Sequence, residues 1–97
     1  MRILRAELLW KFIKKHRNVS SYLRAWYDEV TAAQWQKPDD AKIQYPRCSI
    51  VGNDRIVFRV RGNNYRIVCR VSYALQIIEI RFVGTHADYD DINAEEV

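Results

Sequence analysis

This chain of 97 residues is poor in the residues that build stapled folds. It has two cysteines, Cys48 and Cys69, too few for a disulfide framework. Its two histidines, His16 and His86, are too far apart in sequence for a zinc-site spacing. No carboxylate cluster or Cys/His set suggests a catalytic metal, and no cofactor is expected. No apolar run approaches the roughly 18–20 residues of a membrane span, so no membrane partner is expected either. The opening MRILRAELLWKFIKK is basic and amphipathic, as a transit peptide is. Glu7 in its middle and the lack of a small-residue cleavage site speak against that and against a secretory signal, so it reads as a first helix of the fold. Internal repeats and low-complexity tracts are absent. Both thiols are expected to stay reduced in a cytoplasmic protein, with Cys69 on the apolar side of its strand as a core residue.

What is there suits one folded domain spanning residues 1–97. The apolar share is 48%, with twelve aromatics, which argues against disorder. A chain of this size buries a single modest core, roughly 60–65% of its unfolded surface. The net charge of +4 hides an asymmetry. Asp88, Asp90, Asp91, Glu95 and Glu96 crowd the last ten residues, leaving sixteen Lys and Arg against seven acids in residues 1–87. A basic body with an acidic tail points to a polyanionic partner, nucleic acid being the first candidate.

From Val19 the apolar positions Tyr22, Leu23, Trp26, Tyr27, Val30 and Ala33 follow helical spacing, with Asn18 and Ser20 as candidate caps. Upstream, Leu4, Leu8, Leu9, Phe12 and Ile13 form a shorter stripe opposite Lys11, Lys14 and Lys15. His16, Arg17 and Asn18 make a tight connection, so the two helices pair as an antiparallel hairpin. Trp10, Trp26 and Trp35 read as packing residues. The polar connector QKPDDAKIQYP leaves room for a short helix around Asp40 to Gln44. Then the period changes to two. The runs SIV, RIVFRVR, YRIVCRVSY and QIIEIRFVG are separated by the turns GND and GNN and by a bend at Ala74–Leu75, which predicts consecutive antiparallel hairpins. The fold class is α+β: an N-terminal helical hairpin packed on a three- to four-stranded antiparallel sheet, with a short C-terminal segment.

Alternation assigns faces. Ile56, Phe58 and Val60 share an apolar side with Tyr65, Ile67, Cys69, Val71 and Tyr73, and with Ile78, Ile80 and Phe82. The helices can cover only that side. The other collects Arg55, Arg59, Arg61, Arg66, Arg70 and Arg81 with Glu79 among them. Like charges across strands cost up to about 1 kcal/mol per opposed pair. All six are arginines, whose planar fork suits phosphate oxygens, so a polyphosphate ligand accounts for the array better than solubility does. His86 and Tyr89 follow the strand that carries Arg81, and so reach the rim of this face. An imidazole, with an ordinary pKa of about 6.5, both donates and accepts protons near neutrality. Arginines that bind a phosphodiester and a His/Tyr pair that moves protons suffice for RNA cleavage by attack of a 2′-hydroxyl.

The segments LRAWYDEV, KPDDAK, IVFRVRGNNYRIV and IRFVGTHADYDDI together resemble the HigB-like toxins of the RelE/ParE superfamily, toxic halves of bacterial type II toxin–antitoxin pairs. The likeness runs in order over nearly the whole chain, and GNxYR followed by GTHAxYD carries most of it. The resemblance implies a metal-independent mRNA interferase, usually acting on message engaged by the ribosome. It implies a cognate HigA-like helix-turn-helix antitoxin, the complex binding operator DNA through that antitoxin. Position by position, it places phosphate-binding arginines at Arg66 and Arg81 and the proton-transfer pair at His86 and Tyr89. It matches Asn63 and Asn64 to a substrate-side turn that turn geometry explains equally well, and it leaves Asp90 to orient His86 or to cap the end. The RelE branch leans on lysines as well as arginines at its sheet and this sheet has no lysine, so only the HigB-like chemistry carries over. Two alternatives stand beside the nuclease. One is a ParE-like inhibitor of a protein target such as gyrase, which uses the scaffold without the His/Tyr pair. The other is a plain RNA-binding module, disfavoured because the sheet aromatics alternate onto the apolar side.

Overall fold

The computed structural model describes residues 1–52 and 54–97. Asn53, in the expected GND turn, lies outside the described residues. The elements in chain order are β1 (Arg2–Leu4), α1 (Glu7–Lys15), α2 (Ser20–Ala32), α3 (Pro38–Gln44), β2 (Ser49–Val51), β3 (Arg55–Val60), β4 (Tyr65–Ser72), β5 (Ile77–Thr85) and α4 (His86–Asp90). The α+β class holds. Among the described residues no helix is long and apolar enough to cross a membrane.

Among the described residues the sheet has five strands in the order β1-β5-β4-β3-β2. From β2 to β5 it is the antiparallel meander that the Gly/Asn turns predict. The additional strand is β1, which pairs parallel with the start of β5, Arg2 opposite Ile77 and Leu4 opposite Glu79. Leu4 therefore belongs to a strand and not to the stripe of the first helix. Arg5, at φ 62°, turns the chain into α1. A three-residue strand is too short for its period to be told from a helical one.

One face of the sheet carries the main core. Leu9, Ile13, Leu23, Trp26 and Val30 of the helices pack with Ile56, Phe58, Ile67, Cys69, Ile78 and Ile80. Phe58 is the hub: Trp26 meets it edge-on at 5.3 Å and Trp35 stacks on it at 6.0 Å. All three tryptophans are in packing roles, Trp10 lying half-buried at 5.0 Å from Tyr27. Both cysteines are free and buried, and burial raises both thiol pKa values, that of Cys69 well above its usual range.

The two main helices are joined by a 3-10 turn at Arg17–Val19. Among the described residues no side chain caps α2. Asn18 instead donates to the Tyr65 hydroxyl at 3.3 Å, and Ser20 accepts from Arg24 at 3.1 Å. The short third helix starts at Pro38, where a missing N–H costs nothing, with Asp39 and Asp40 in its first turn.

The opposite face departs from the alternation reading in three ways. First, it has its own apolar cluster: Val57, Val68 and Ala94 are buried there, with Phe82, Tyr89, Ile92 and Val97 packed against them. The C-terminal segment thus covers much of a face expected to be open. Second, a register shift at Val68/Cys69 leaves Arg81 as an extra residue, since Cys69 pairs Ile80 while Val68 pairs Phe82. This bulge reverses the phase of β5, so Phe82 joins the outer cluster and Val83 the main core. Third, Arg61 is not in a strand. It sits in the β3–β4 turn at φ 53°, followed by Gly62 at φ 66°, and its guanidinium lies over Tyr22 of α2 at 5.8 Å.

Candidate functional site

Strand register divides the outer face into three rows. At one end Arg55 is opposite Arg70, which is opposite Glu79. In the middle run Val57, Val68 and Phe82, and at the far end Arg59, Arg66 and Gly84. The expected single array of six arginines is therefore two groups separated by an apolar row, with Arg61 outside both.

The first group is matched internally. Arg70 meets Asp54 at 2.9 Å, and Arg55 meets it at 3.2 Å and also donates to the Val97 carbonyl at 3.2 Å. Arg81 reaches Glu79 at 3.1 Å and the same Val97 carbonyl at 3.2 Å. Arg70 stands four residues from Arg66 along β4, roughly 13 Å away at strand spacing. The structure does not bring Arg70 and Arg81 to the other candidate residues.

The second group does converge with the histidine. Thr85 ends β5 and caps α4 through a reciprocal pair: its hydroxyl accepts from the Asp88 N–H, and the Asp88 carboxylate accepts from the Thr85 N–H, both at 3.2 Å. The His86 N–H donates to the Asn64 carbonyl at 2.9 Å, which ties the start of α4 to the β3–β4 turn. His86 and Tyr89, three residues apart, lie on one side of α4 with Cβ atoms about 5–6 Å apart. The His86 side chain is 50% exposed, and its Nδ1 is 3.2 Å from the Asp90 carboxylate. A proton held on Nδ1 toward that carboxylate leaves Nε2 as the acceptor nitrogen of the neutral ring. Asp90 therefore orients the imidazole, while Asp88 does the capping.

Arg66 lies beneath this helix. It is only 5% exposed, and its guanidinium sits over the Tyr89 ring at 5.6 Å. Its Nη1 donates to the Asn63 carbonyl at 2.6 Å and its Nη2 to the Asn63 side-chain oxygen at 3.3 Å. Asn63 thus holds the arginine, and Asn64 holds the helix start through its backbone. Burial first, then the facing Arg59, press the Arg66 pKa below its usual value; Arg47 adds to this, while Tyr89 and Asp90 oppose it. Arg66 remains a cation at neutral pH. Arg59 and Arg47 are exposed and enter no ion pair among the described residues.

Gly84 makes the close approach possible. A Cβ there would stand 2.5 Å from the Phe82 ring and 3.0 Å from Asp88. Gly84→Ala should therefore cost about 1–3 kcal/mol through overpacking and should displace α4. A urea melt and the chemical shifts of His86 and Tyr89 check this; unchanged values for both would refute the close-packing account.

The apolar middle row was legible in one respect, since IVF and IVC are unbroken apolar runs of the kind that strands buried on both faces show. Thr85 and Asp88 likewise carry the capping-box spacing. Arg47 gave no such signal, because its loop has no period.

Comparison with known proteins bears on this geometry. Residues 19–92 match a family profile described as HigB toxin, the RelE-like toxic component of a toxin–antitoxin system. No curated protein matches the chain.

Proposed function

The chain belongs to the HigB family of RelE-like toxins, and from that premise we propose that it is an mRNA interferase, a metal-independent endoribonuclease. Membership makes it the toxic half of a toxin–antitoxin pair, with an antitoxin as partner. The observation that carries the nuclease reading is the convergence at one end of the sheet. There an exposed, carboxylate-oriented His86 stands one turn from Tyr89, whose ring rests on the Arg66 guanidinium.

In this reading Arg59 holds the phosphodiester from the solvent side, and Arg66 adds positive potential from below. The ribose 2′-hydroxyl attacks the adjacent phosphorus. One of His86 and Tyr89 takes the proton from the 2′-oxygen, and the other gives a proton to the departing 5′-oxygen. The products are a 2′,3′-cyclic phosphate and a free 5′-hydroxyl. The extra negative charge on the phosphoryl oxygens develops beside fixed guanidiniums, where it is stabilised without reorganisation. Arg55 and Arg81 hold the C-terminal segment through the Val97 carbonyl, and Arg70 is matched to Asp54. We further infer that the substrate is message engaged by the ribosome in the cytoplasm. The antitoxin is of the HigA type, with a helix-turn-helix that carries the complex to operator DNA.

Induced expression should stop growth and shorten cellular mRNA, and the double variant His86→Ala/Arg66→Ala should do neither, circular dichroism showing that it keeps its fold at a lowered melting temperature. An equally toxic double variant would reject the cleavage mechanism and leave the ParE-like, target-binding reading.

A further inference from the structure

Beside the cationic end of the outer face lies a hollow of about 170 Å³, lined by Gln44, Tyr45, Pro46, Arg47, Cys48 and Arg59. It joins the candidate site directly. Arg59 faces Arg66 across the β3–β4 ladder, and Arg47 and Arg59 both act on the Arg66 charge.

The hollow is built of fixed parts. The Tyr45 ring is half-buried and edge-on to Phe58 at 5.2 Å and to Trp35 at 6.2 Å. Its hydroxyl donates to the Glu29 carboxylate. Burial, reinforced by that hydrogen bond and the Glu29 charge, keeps the phenol protonated far above neutral pH. The Gln44 amide is oriented as well. Trp35 Nε1 lies 3.1 Å from it, and an indole N–H only donates. The amide oxygen must therefore face Trp35, and the NH₂ faces away. The polar ends of the lining side chains are then donors: the Gln44 NH₂ and the Arg47 and Arg59 guanidiniums, neither of which enters an ion pair among the described residues.

A hollow lined by the fixed Tyr45 ring and Pro46 together with three donor side chains, next to a phosphate-binding cluster, has the chemistry of a nucleobase pocket. Among the four bases, guanine alone presents two adjacent acceptors, O6 and N7, on one edge, the pattern a planar guanidinium takes bidentately. Adenine sets its N6 donor beside N7, and cytosine offers its N4 donor. We propose that this hollow is a guanine subsite, seating the base that flanks the scissile phosphate. The inference rests on the RNA-cleavage reading above and adds its base preference.

Two measurements test it. The first maps the ends of cellular RNA after induction, for the wild type and for Arg47→Ala, Gln44→Ala and Gln44→Glu. Wild-type cuts should show guanine at one flanking position roughly tenfold over adenine, as one good bidentate contact allows. Arg47→Ala and Gln44→Ala should flatten that ratio. Gln44→Glu still accepts from Trp35 but replaces the donor with an acceptor, so it should turn the preference toward adenine and cytosine, whose N6 and N4 amino groups lie on the edge where guanine has O6. A base distribution identical in all four proteins, or one without guanine enrichment, overturns the subsite. The second measurement needs no cleavage. GMP titrated into the purified protein should shift the Trp35 indole N–H resonance at concentrations roughly tenfold below those AMP requires. If wild-type protein cuts no RNA, the nuclease reading fails, and the GMP titration alone decides the pocket. Equal responses to the two nucleotides overturn it.

Discussion

Replacing His86 by alanine should lower the rate of RNA cleavage by about 10²–10⁴-fold, the range that a positioned acid or base supplies. His86 is 50% exposed and belongs to neither apolar cluster, so its removal leaves packing intact and the loss reports on chemistry. The imidazole owes its pose to Asp90 at 3.2 Å. Asp90→Ala should therefore reduce cleavage by a smaller factor, because an imidazole still reaches the substrate, though with less control of its tautomer. The check is a single-turnover time course on a defined message, with circular dichroism to establish the fold. A His86→Ala protein within tenfold of wild type would remove the imidazole from the proton-transfer scheme.

The second large effect is expected at Arg66. Arg66→Ala should cost about 10²–10³-fold in cleavage rate, the scale of preorganised electrostatic stabilisation, because the buried cation both sets the potential beneath the phosphate and seats the Tyr89 ring. Lysine should recover little of it. An ammonium restores the charge, but it has no plane to lie against Tyr89 and no fork to span the two Asn63 oxygens. Charge and geometry are thereby separated. If Arg66→Lys cut RNA at the wild-type rate, positive potential alone would be at work, and the stacked arrangement would have no role. Thermal melts of the same proteins belong with the kinetics, because the side chain is 5% exposed and its loss also loosens the turn.

How far the residues foretold this architecture depends on the range over which each signal acts. The helical stripes, the β3–β4 hairpin and the short helix at Pro38 are written in local period and turn chemistry. They recur in the structure at nearly the expected positions. The parallel pairing of Arg2–Leu4 with Ile77–Glu79 is set by contacts some 75 residues apart, and three residues carry no usable period. The bulge at Arg81 breaks the alternation that assigned Phe82 to the wrong face, because register is fixed by both strands and not by one. The arginine face was over-counted for a related reason. Val57 and Val68 sit between the charges in the ladder, and their covering, Ile92, Ala94 and Val97, comes from a segment with no strand or helix pattern. At the site, the pairing of Arg59 with Arg66 follows from alternation and turn position. Arg47, Gln44 and Tyr45 arrive from the end of a helix and a loop, where only tertiary packing sets direction.

The outer apolar row ties two properties of the molecule to one set of contacts. Tyr89 rests on the same small cluster that Ile92, Ala94 and Val97 seal from water. Prying that segment loose would wet Val57 and Val68 and unseat the phenol in one event. Disarming the protein and partly melting its outer layer are thus thermodynamically linked, and an inhibitor gripping the far margin of the sheet could silence the chemistry without ever touching the imidazole.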